Sequence, residues 1–538
     1  MTEGFTAFNL IYEKWIPVQR KDETKVTIAP WQITEGLGSG NPISELDAPR
    51  PDFNGALIQF LIGLVQTTMS PANDRAWKNV LKNPPSPEDM KNTFEKVAHA
   101  FEFDGDNARF MQDYDLSEGA DNQVDNLLVE MPGENTIKKN ADHFLKRDSV
   151  KKMCFPCCAT ALFTLQTNAP AGGQGNRTSL RGGGPLTTIV KGNNLWETIW
   201  LNILEEESFK NLGDTEKSNL VDIFPWLGPA RTSEKNQKVT SSDVNPKQMF
   251  WGMPRRIRIN FDTLESGICE ICGGESHYLV ADYISKNYGI NYEGGWRHVL
   301  TPHTEDKRGI LPVHLNPGGI SYRHWLGLIQ NDGDGNKQPA FIVDKFRDRQ
   351  YNFNLLSEVF NHSPSIWAFG YDFDNMKARC WYESQMPLII VNEDIRAEYE
   401  NVISQLIKSA EIIAGNTRSC IKEALFRYSG NVKGDLSFID SRFWKDTEPE
   451  FYKTLHELHG LLDKGENTAE LKLNWLKSLT KTSFKLFDEY SQLDFIGTAD
   501  PKRISLARRD LGKYNSPKGQ KLKTILGLPI EKSTKTMK

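Results

Sequence analysis

Four of the seven cysteines stand in two C-x-x-C pairs, Cys154-Phe-Pro-Cys157 and Cys269-Glu-Ile-Cys272. A thiolate at each end of a tight turn supplies two of the four tetrahedral positions that zinc prefers, and a second such turn completes the set. The 111 residues between the pairs exceed the separation in a compact finger. A site built this way staples distant parts of a domain and leaves no open coordination position for catalysis. A disulfide, disfavoured in a reducing compartment, and free buried thiols are the alternatives. Cys158 is a spare neighbour, and Cys380 and Cys420 are expected to be inert.

The second unusual stretch is Asn168-Ala-Pro-Ala-Gly-Gly-Gln-Gly-Asn-Arg-Thr-Ser-Leu-Arg-Gly-Gly-Gly-Pro185, in which six of the fifteen residues from Ala171 to Pro185 are Gly. Glycine permits positive φ and close backbone approach, and amides in such turns form nests for anions. Arg177 and Arg181 sit among them. The P-loop pattern needs a Gly-Lys pair that is absent here, and the Rossmann pattern fails because Thr178 stands where its third Gly belongs. The segment therefore suits approach to a phosphate or a groove, without a nucleotidase signature.

Enzymatic signatures are otherwise missing. No H-E-x-x-H, G-x-S-x-G or EF-hand loop occurs, and the ten His are scattered. Asp372-Phe-Asp374 is an acidic pair of the kind that suits a hard cation, and a structural turn is the commoner origin of such a pair. A non-enzyme is the expectation.

These residues need a large framework, and the composition supplies one. The chain has 538 residues, with 38% hydrophobic, 25% charged, 13 Trp, 28 Phe and 15 Tyr. That excludes disorder for its bulk and allows two to four domains. The best apolar run, Ala56–Met69, is broken by Gln59 and is shorter than the ~18 residues of a spanning helix. The start, MTEGFTAFNL, lacks a signal pattern, so no membrane association and a cytoplasmic location are expected. Charge is uneven: residues 501–538 hold eleven Lys and Arg against Asp510 and Glu531, in a chain of net −5. A pI of about 6.1 argues against an autonomous DNA-binding domain, which is usually basic.

Patterning predicts a strand pair over Phe8–Val18 and Val26–Ile28, then a helix within 50–75 and another from Ser86. A polar loop is expected over 129–152, and a helix over Cys157–Gln166. Residues 250–260 read as a strand, and so does Leu388–Val391. From about Glu393 the period becomes helical. Val402, Leu406, Ala410 and Ile413 form one stripe, and Phe451, Leu455, Leu458 and Leu462 a second. Leu473, Leu476, Leu479, Ser483, Leu486 and Tyr490 form a third, and a basic helix spans about Pro501–Lys513. Four amphipathic segments close naturally into a bundle. The fold class is thus α+β: a mixed α/β domain over 1–390, a four-helix bundle over 391–515, and a loose basic tail over 516–538.

FNLIYEKWIPV, the block NAPAGGQGNRTSLRGGGPLTTIV, the paired C-x-x-C sites, WGMPRRIRI and FGYDFDNMKARCW, followed by helices, together resemble the CasA family. That family is the large subunit of the type I-E CRISPR surveillance complex Cascade, and the resemblance runs from about residue 8 to about 515. It implies a non-catalytic protein that recognises the protospacer-adjacent motif of double-stranded DNA through the minor groove. It also implies that the protein starts duplex opening and docks a helicase–nuclease effector. The implied partners are the other Cascade subunits, the CRISPR guide RNA, target DNA and that effector.

By the same resemblance, the motif-reading loop matches Ala171, Gly172, Gly173, Gln174 and Gly175, with Asn176 beside it. Gln174 stands where better-known members carry Gly. Arg177 and Arg181 become candidate phosphate contacts. The wedge matches the turn of Asp374, Asn375, Met376 and Lys377, and no Gln stands at its tip. The basic finger aligns on Asn287, with Lys286 as the candidate contact. Asn135, Lys138 and Lys139, in the polar loop, fall in the segment that meets guide RNA and neighbouring subunits. A metal-dependent nuclease using Asp372 and Asp374, or a zinc-stapled scaffold without DNA contact, are the competing readings.

Overall fold

The structure, a computed structural model, describes residues 7–131, 149–307, 309–331, 336–355, 359–360, 364–374, 376–492 and 500–529. The chain divides into two compact units, Met1–Leu315 with Pro339–Gln385, and Asn316–Gln338 with Met386–Lys538.

The first unit is organised on the helix Pro51–Thr68, which has Pro at its first turn and Asp52 beside it. It is apolar on nearly every side, so it is buried all round; Leu57, Phe60, Leu61, Leu64 and Val65 are each at most 2% exposed. Phe60 meets Trp15, Phe101, Phe110, Phe163 and Trp251 edge-on, at ring separations of 5.3–6.0 Å. This cluster is where much of the aromatic content goes. The buried Gln66 side chain is satisfied in both directions by the Leu204 backbone.

Small three-stranded sheets surround this core, and three of them carry candidate functional residues. One orders Ala120–Gln123, Asp282–Lys286 and Arg256–Ile259. The second orders Met153–Cys154, Glu275–Val280 and Glu265–Ile268. The third orders Lys377–Pro387, Ser365–Asp374 and Thr187–Lys191.

The strand pair near the start is present as Ile16–Arg20 with Lys25–Ile28. The strand expected over 250–260 is only Arg256–Ile259; Pro246–Phe250 is a short 3-10 turn, and Pro254 removes a ladder donor ahead of the strand. Leu388–Val391 is irregular rather than a strand. Its Leu388, Ile389 and Val391 are buried just after Pro387, which ends the preceding strand.

The second unit is helical: Glu393–Leu425, Ser437–Asp463, Ala469–Gln492, Pro501–Tyr514 and the short Gln520–Ile525. The first of these packs against each of the other four. Its C-terminal carbonyls, Ala424 and Leu425, accept from the Arg503 guanidinium at 2.8 and 3.2 Å, which fits a cation at a helix C-terminus.

Two boundaries differ from expectation. Residues 316–338 belong with the helices, because Tyr322 stacks on Phe451 at 4.2 Å and its hydroxyl meets Thr447 Oγ1 at 2.8 Å. The described part of the tail, 516–529, is not loose. It forms a helical turn whose Leu522 and Leu526 are 1% and 0% exposed. Three leucines scattered among lysines give no clear period, yet they bury enough apolar surface to dock the segment. Leu522→Ala is expected to cost about 2–5 kcal/mol, the range for buried Leu→Ala, read as a lower urea midpoint. No described helix is long and apolar enough to cross a membrane.

Candidate nucleic-acid interface and cysteine centre

The four C-x-x-C cysteines converge. Their sulfurs all lie within 4.8 Å of one another, and Cys154 Sγ is 3.8 Å from Cys272 Sγ. Tetrahedral bonds of about 2.3 Å to a central metal place sulfurs at this kind of spacing, and the donor set is one that binds a soft divalent ion. Cys154 precedes the helix Phe155–Asn168, and Cys157 lies in its first turn behind Pro156. On the other side, Gly273 at φ 71° turns the chain so that its N–H donates to Cys269 O at 2.9 Å. Cys269 Sγ also accepts from the Cys154 backbone N–H at 3.3 Å. Hydrogen bonds from the Cys154 and Cys157 thiols pull Cys272 down to about 6 and Cys269 well below the usual thiol range. The same sulfur contacts push the Cys157 thiol well above that range, and Cys154 is raised too, so the cluster by itself holds two thiolates and two thiols, and metal binding would displace the remaining protons.

Two elements leave this centre. The helix Phe155–Asn168 runs directly into the Gly-rich segment. The strand Glu275–Val280 runs into Asp282–Lys286. They meet again at Gly175: the Tyr288 N–H donates to Gly175 O at 2.8 Å, and the Gln174 amide donates to the Tyr288 hydroxyl at 2.7 Å. Only Gly fits there, because φ is +78° and a Cβ would lie 2.9 Å from Tyr288 N and 3.0 Å from Asn287 Cβ. Ala171, Gly173, Gln174, Asn176, Lys286 and Asn287 are exposed, while Gly172 is half-buried. The base of the segment is tied down by Arg255, whose guanidinium donates to Pro170 O.

The last glycine of the segment, Gly184, meets the hairpin of Ser365–Asp374 and Lys377–Pro387. A Cβ on Gly184, at φ +60°, would overlap the Phe373 ring and lie 2.8 Å from Tyr371 O. At the hairpin's tip Met376 adopts φ 69° and is 55% exposed; Asp374 and Lys377 are exposed beside it. The Gly-rich segment therefore touches both the Lys286–Tyr288 end and the hairpin strand.

Arg181 is 3% exposed and is bound inside the protein by Thr187, Thr301 and Gln59, so it is no surface phosphate contact. Arg177 is half-buried and donates through Nε to Ser233 Oγ at 2.8 Å. Asp372 is buried and accepts from Arg379 Nη2 at 2.7 Å, while Arg379 Nη1 reaches Asp374 at 3.4 Å. A guanidinium thus occupies the acidic pair that a nuclease would need for its metal. Asn135, Lys138, Lys139 and Asn375 lie outside the described residues.

A family model described as CRISPR-associated protein Cse1 matches residues 9–486. The chain belongs to the Cse1 family. Its fold is similar to that of Thermus thermophilus CasA (Cse1), at 17% identity and TM-score 0.67, covering 95% of this chain and 100% of that one. It is also similar to Thermobifida fusca Cse1, at 16% identity and TM-score 0.68, and to Acidimicrobium ferrooxidans Cse1, at 15% and 0.66. Both cover 98% of this chain and 99% of theirs. The chain is thus a subunit of a CRISPR Cascade complex, with a mixed α/β region followed by a helical one. In this Cse1 chain, sequence reasoning missed Tyr288, Ser233 and Arg379. Tyr288 holds φ 65°, a left-handed conformation rare for an aromatic residue; the following Gly289 was its one local signal.

Proposed function

We propose that this chain is the non-catalytic large subunit of a type I-E Cascade, reading the motif that flanks a target in double-stranded DNA. Ala171–Asn176 approaches the minor groove, whose degenerate base code suits a backbone that senses shape more than base identity. Lys286 and Asn287 reach the same groove from the adjoining strand end, and Arg177 contacts a phosphate. Met376, at the hairpin tip with Lys377, is the apolar wedge that unstacks the first target base pair, at a cost of a few kcal/mol. Opening there lets the guide RNA begin pairing. The complex then docks a helicase–nuclease, which does the cutting. Zinc at Cys154, Cys157, Cys269 and Cys272 holds the two elements that carry the reading loop and the finger at a fixed spacing. Asn135, Lys138 and Lys139 meet the guide RNA and a neighbouring subunit.

The observation that carries this reading is one Gly-rich segment whose exposed part packs at Gly175 against the Lys286–Tyr288 end and whose buried end, Gly184, packs against the hairpin strand. One segment thus contacts two other elements that would each touch DNA, which supports their acting together on one duplex. The test is Met376→Asp in the assembled complex. Binding to a fully paired target should weaken about tenfold, or ~1.4 kcal/mol. A target already mismatched beside the motif should bind as the unsubstituted complex does. Equal losses on both targets would remove the wedge role.

A further inference from the structure

Arg181 belongs to the Gly-rich segment yet turns into the core. Its Nη1 donates to Thr187 Oγ1 and Thr301 Oγ1, each at 3.0 Å, and its Nη2 to Gln59 Oε1. Those bonds use three of the five donors of a guanidinium, and every acceptor is neutral. Burial pulls its pKa down to about 9, with no carboxylate contributing, so it is a cation at neutral pH. The neighbouring histidines bring no negative charge. His298 Nδ1 accepts from the Leu300 N–H at 3.2 Å, and burial, then the charge on Arg181, hold its imidazole neutral. His314 is lowered by burial as well.

A buried charge without a counter-charge costs several kcal/mol, and in folded proteins such groups are paired. Among the described residues no carboxylate pairs with Arg181. Beside it lies a cavity of about 20 Å³, lined by Gln59, Gln166, Thr167, Ser179, Arg181 and His298 among others. That is room for one occupant on the scale of a water molecule. The Gln166, Thr167 and Ser179 side chains already donate to backbone carbonyls, so the guanidinium is the charged donor left to the cavity.

We infer that this cavity is a binding site for a small monovalent anion, a halide such as chloride, with Arg181 as its cationic partner. A water molecule would fill the space but bring no counter-charge. Phosphate or sulfate would need more room than a single halide. Seated there, the anion neutralises the core beneath the Gly-rich segment and fixes the stretch from Ser179 to Thr187 against the helix Pro51–Thr68.

The test is the thermal midpoint of the full chain in sodium chloride, sodium bromide and sodium gluconate at matched ionic strength, beside Arg181→Met. The halides should raise the midpoint by at least ~1 °C over gluconate, the shift expected for about 1 kcal/mol in a chain of this length. In Arg181→Met the three salts should give one value. A halide increment of equal size in both proteins, or none in the unsubstituted chain, overturns the site. Should Arg181→Met fail to fold, bromide-soaked crystals of the unsubstituted chain decide the matter. An anomalous peak beside the guanidinium supports the anion, and its absence overturns it.

Discussion

Cys157→Ser should abolish metal binding at the four-cysteine cluster and loosen the proposed reading surface together. Zinc content, measured by plasma emission, is expected to fall from about one equivalent per chain to a small fraction. Structural zinc contributes roughly 10–16 kcal/mol of apparent binding energy in small domains. A loss on the order of 3–5 kcal/mol in unfolding free energy is expected here, because the surrounding sheet retains its own packing. The reason for a functional effect is positional. Cys157 sits in the first turn of the helix that leads to the Gly-rich segment, and Cys269 and Cys272 precede the strands that end at Lys286. Releasing the staple frees both elements at their shared origin, so motif-dependent binding of duplex targets should weaken with stability. Cys420→Ser is the contrasting variant: that thiol lies in the helical unit, packed with Ile421, Phe487 and Leu511, and its change should leave zinc content untouched. Full zinc retention in Cys157→Ser would show that the four sulfurs do not act as one site.

Gly175→Val carries the second large effect. A left-handed backbone costs a β-carbon residue about 1–2 kcal/mol, and the new Cβ would press on Tyr288 N and Asn287 Cβ. The loop and the Lys286–Tyr288 end must separate. Binding of the assembled complex to duplex targets is expected to fall at least about tenfold, or ~1.4 kcal/mol, by electrophoretic mobility shift. Single-stranded targets, which present no groove and need no opening, should bind as before. Gly173 supplies the comparison: its φ is +58°, but a Cβ there would meet nothing nearer than Asn176 Nδ2 at 3.9 Å. Gly173→Ala therefore pays only backbone strain and should lose less. Equal losses at the two glycines would deny the Gly175–Tyr288 contact its role.

The parts of this fold that were legible in the sequence are those with local signals. The C-x-x-C pairs make a four-sulfur site the expected reading, and the convergence of the four sulfurs bears it out. The helical stripes around Leu406, Leu455 and Leu479 lie on buried faces, because a 3.6-residue period survives whatever the helices pack against. The tip at Asp374–Lys377 is located through the resemblance to the CasA family rather than through a local signal. Other features depend on partners far away in the chain. Arginine is exposed by default, and Arg181 is buried because Gln59, Thr187 and Thr301 gather around it from three separate segments. Residues 316–338 show no period, and Tyr322 joins the helical unit through ring contacts with Trp444, Phe451 and Trp475 and through its hydroxyl. Asp372 reads as a cation ligand until Arg379, five residues past Asp374 on the returning strand, fills the same space.

The central claim is that this chain gives the complex its preference for a flanking motif. The most direct measurement assembles the guide-RNA complex with and without the chain and selects bound targets from duplexes randomised beside the guide-matched sequence. A short flanking motif enriched only when the chain is present is the predicted result. The same enrichment, or the same absence of it, in both assemblies would contradict the account and leave the chain a metal-stapled scaffold.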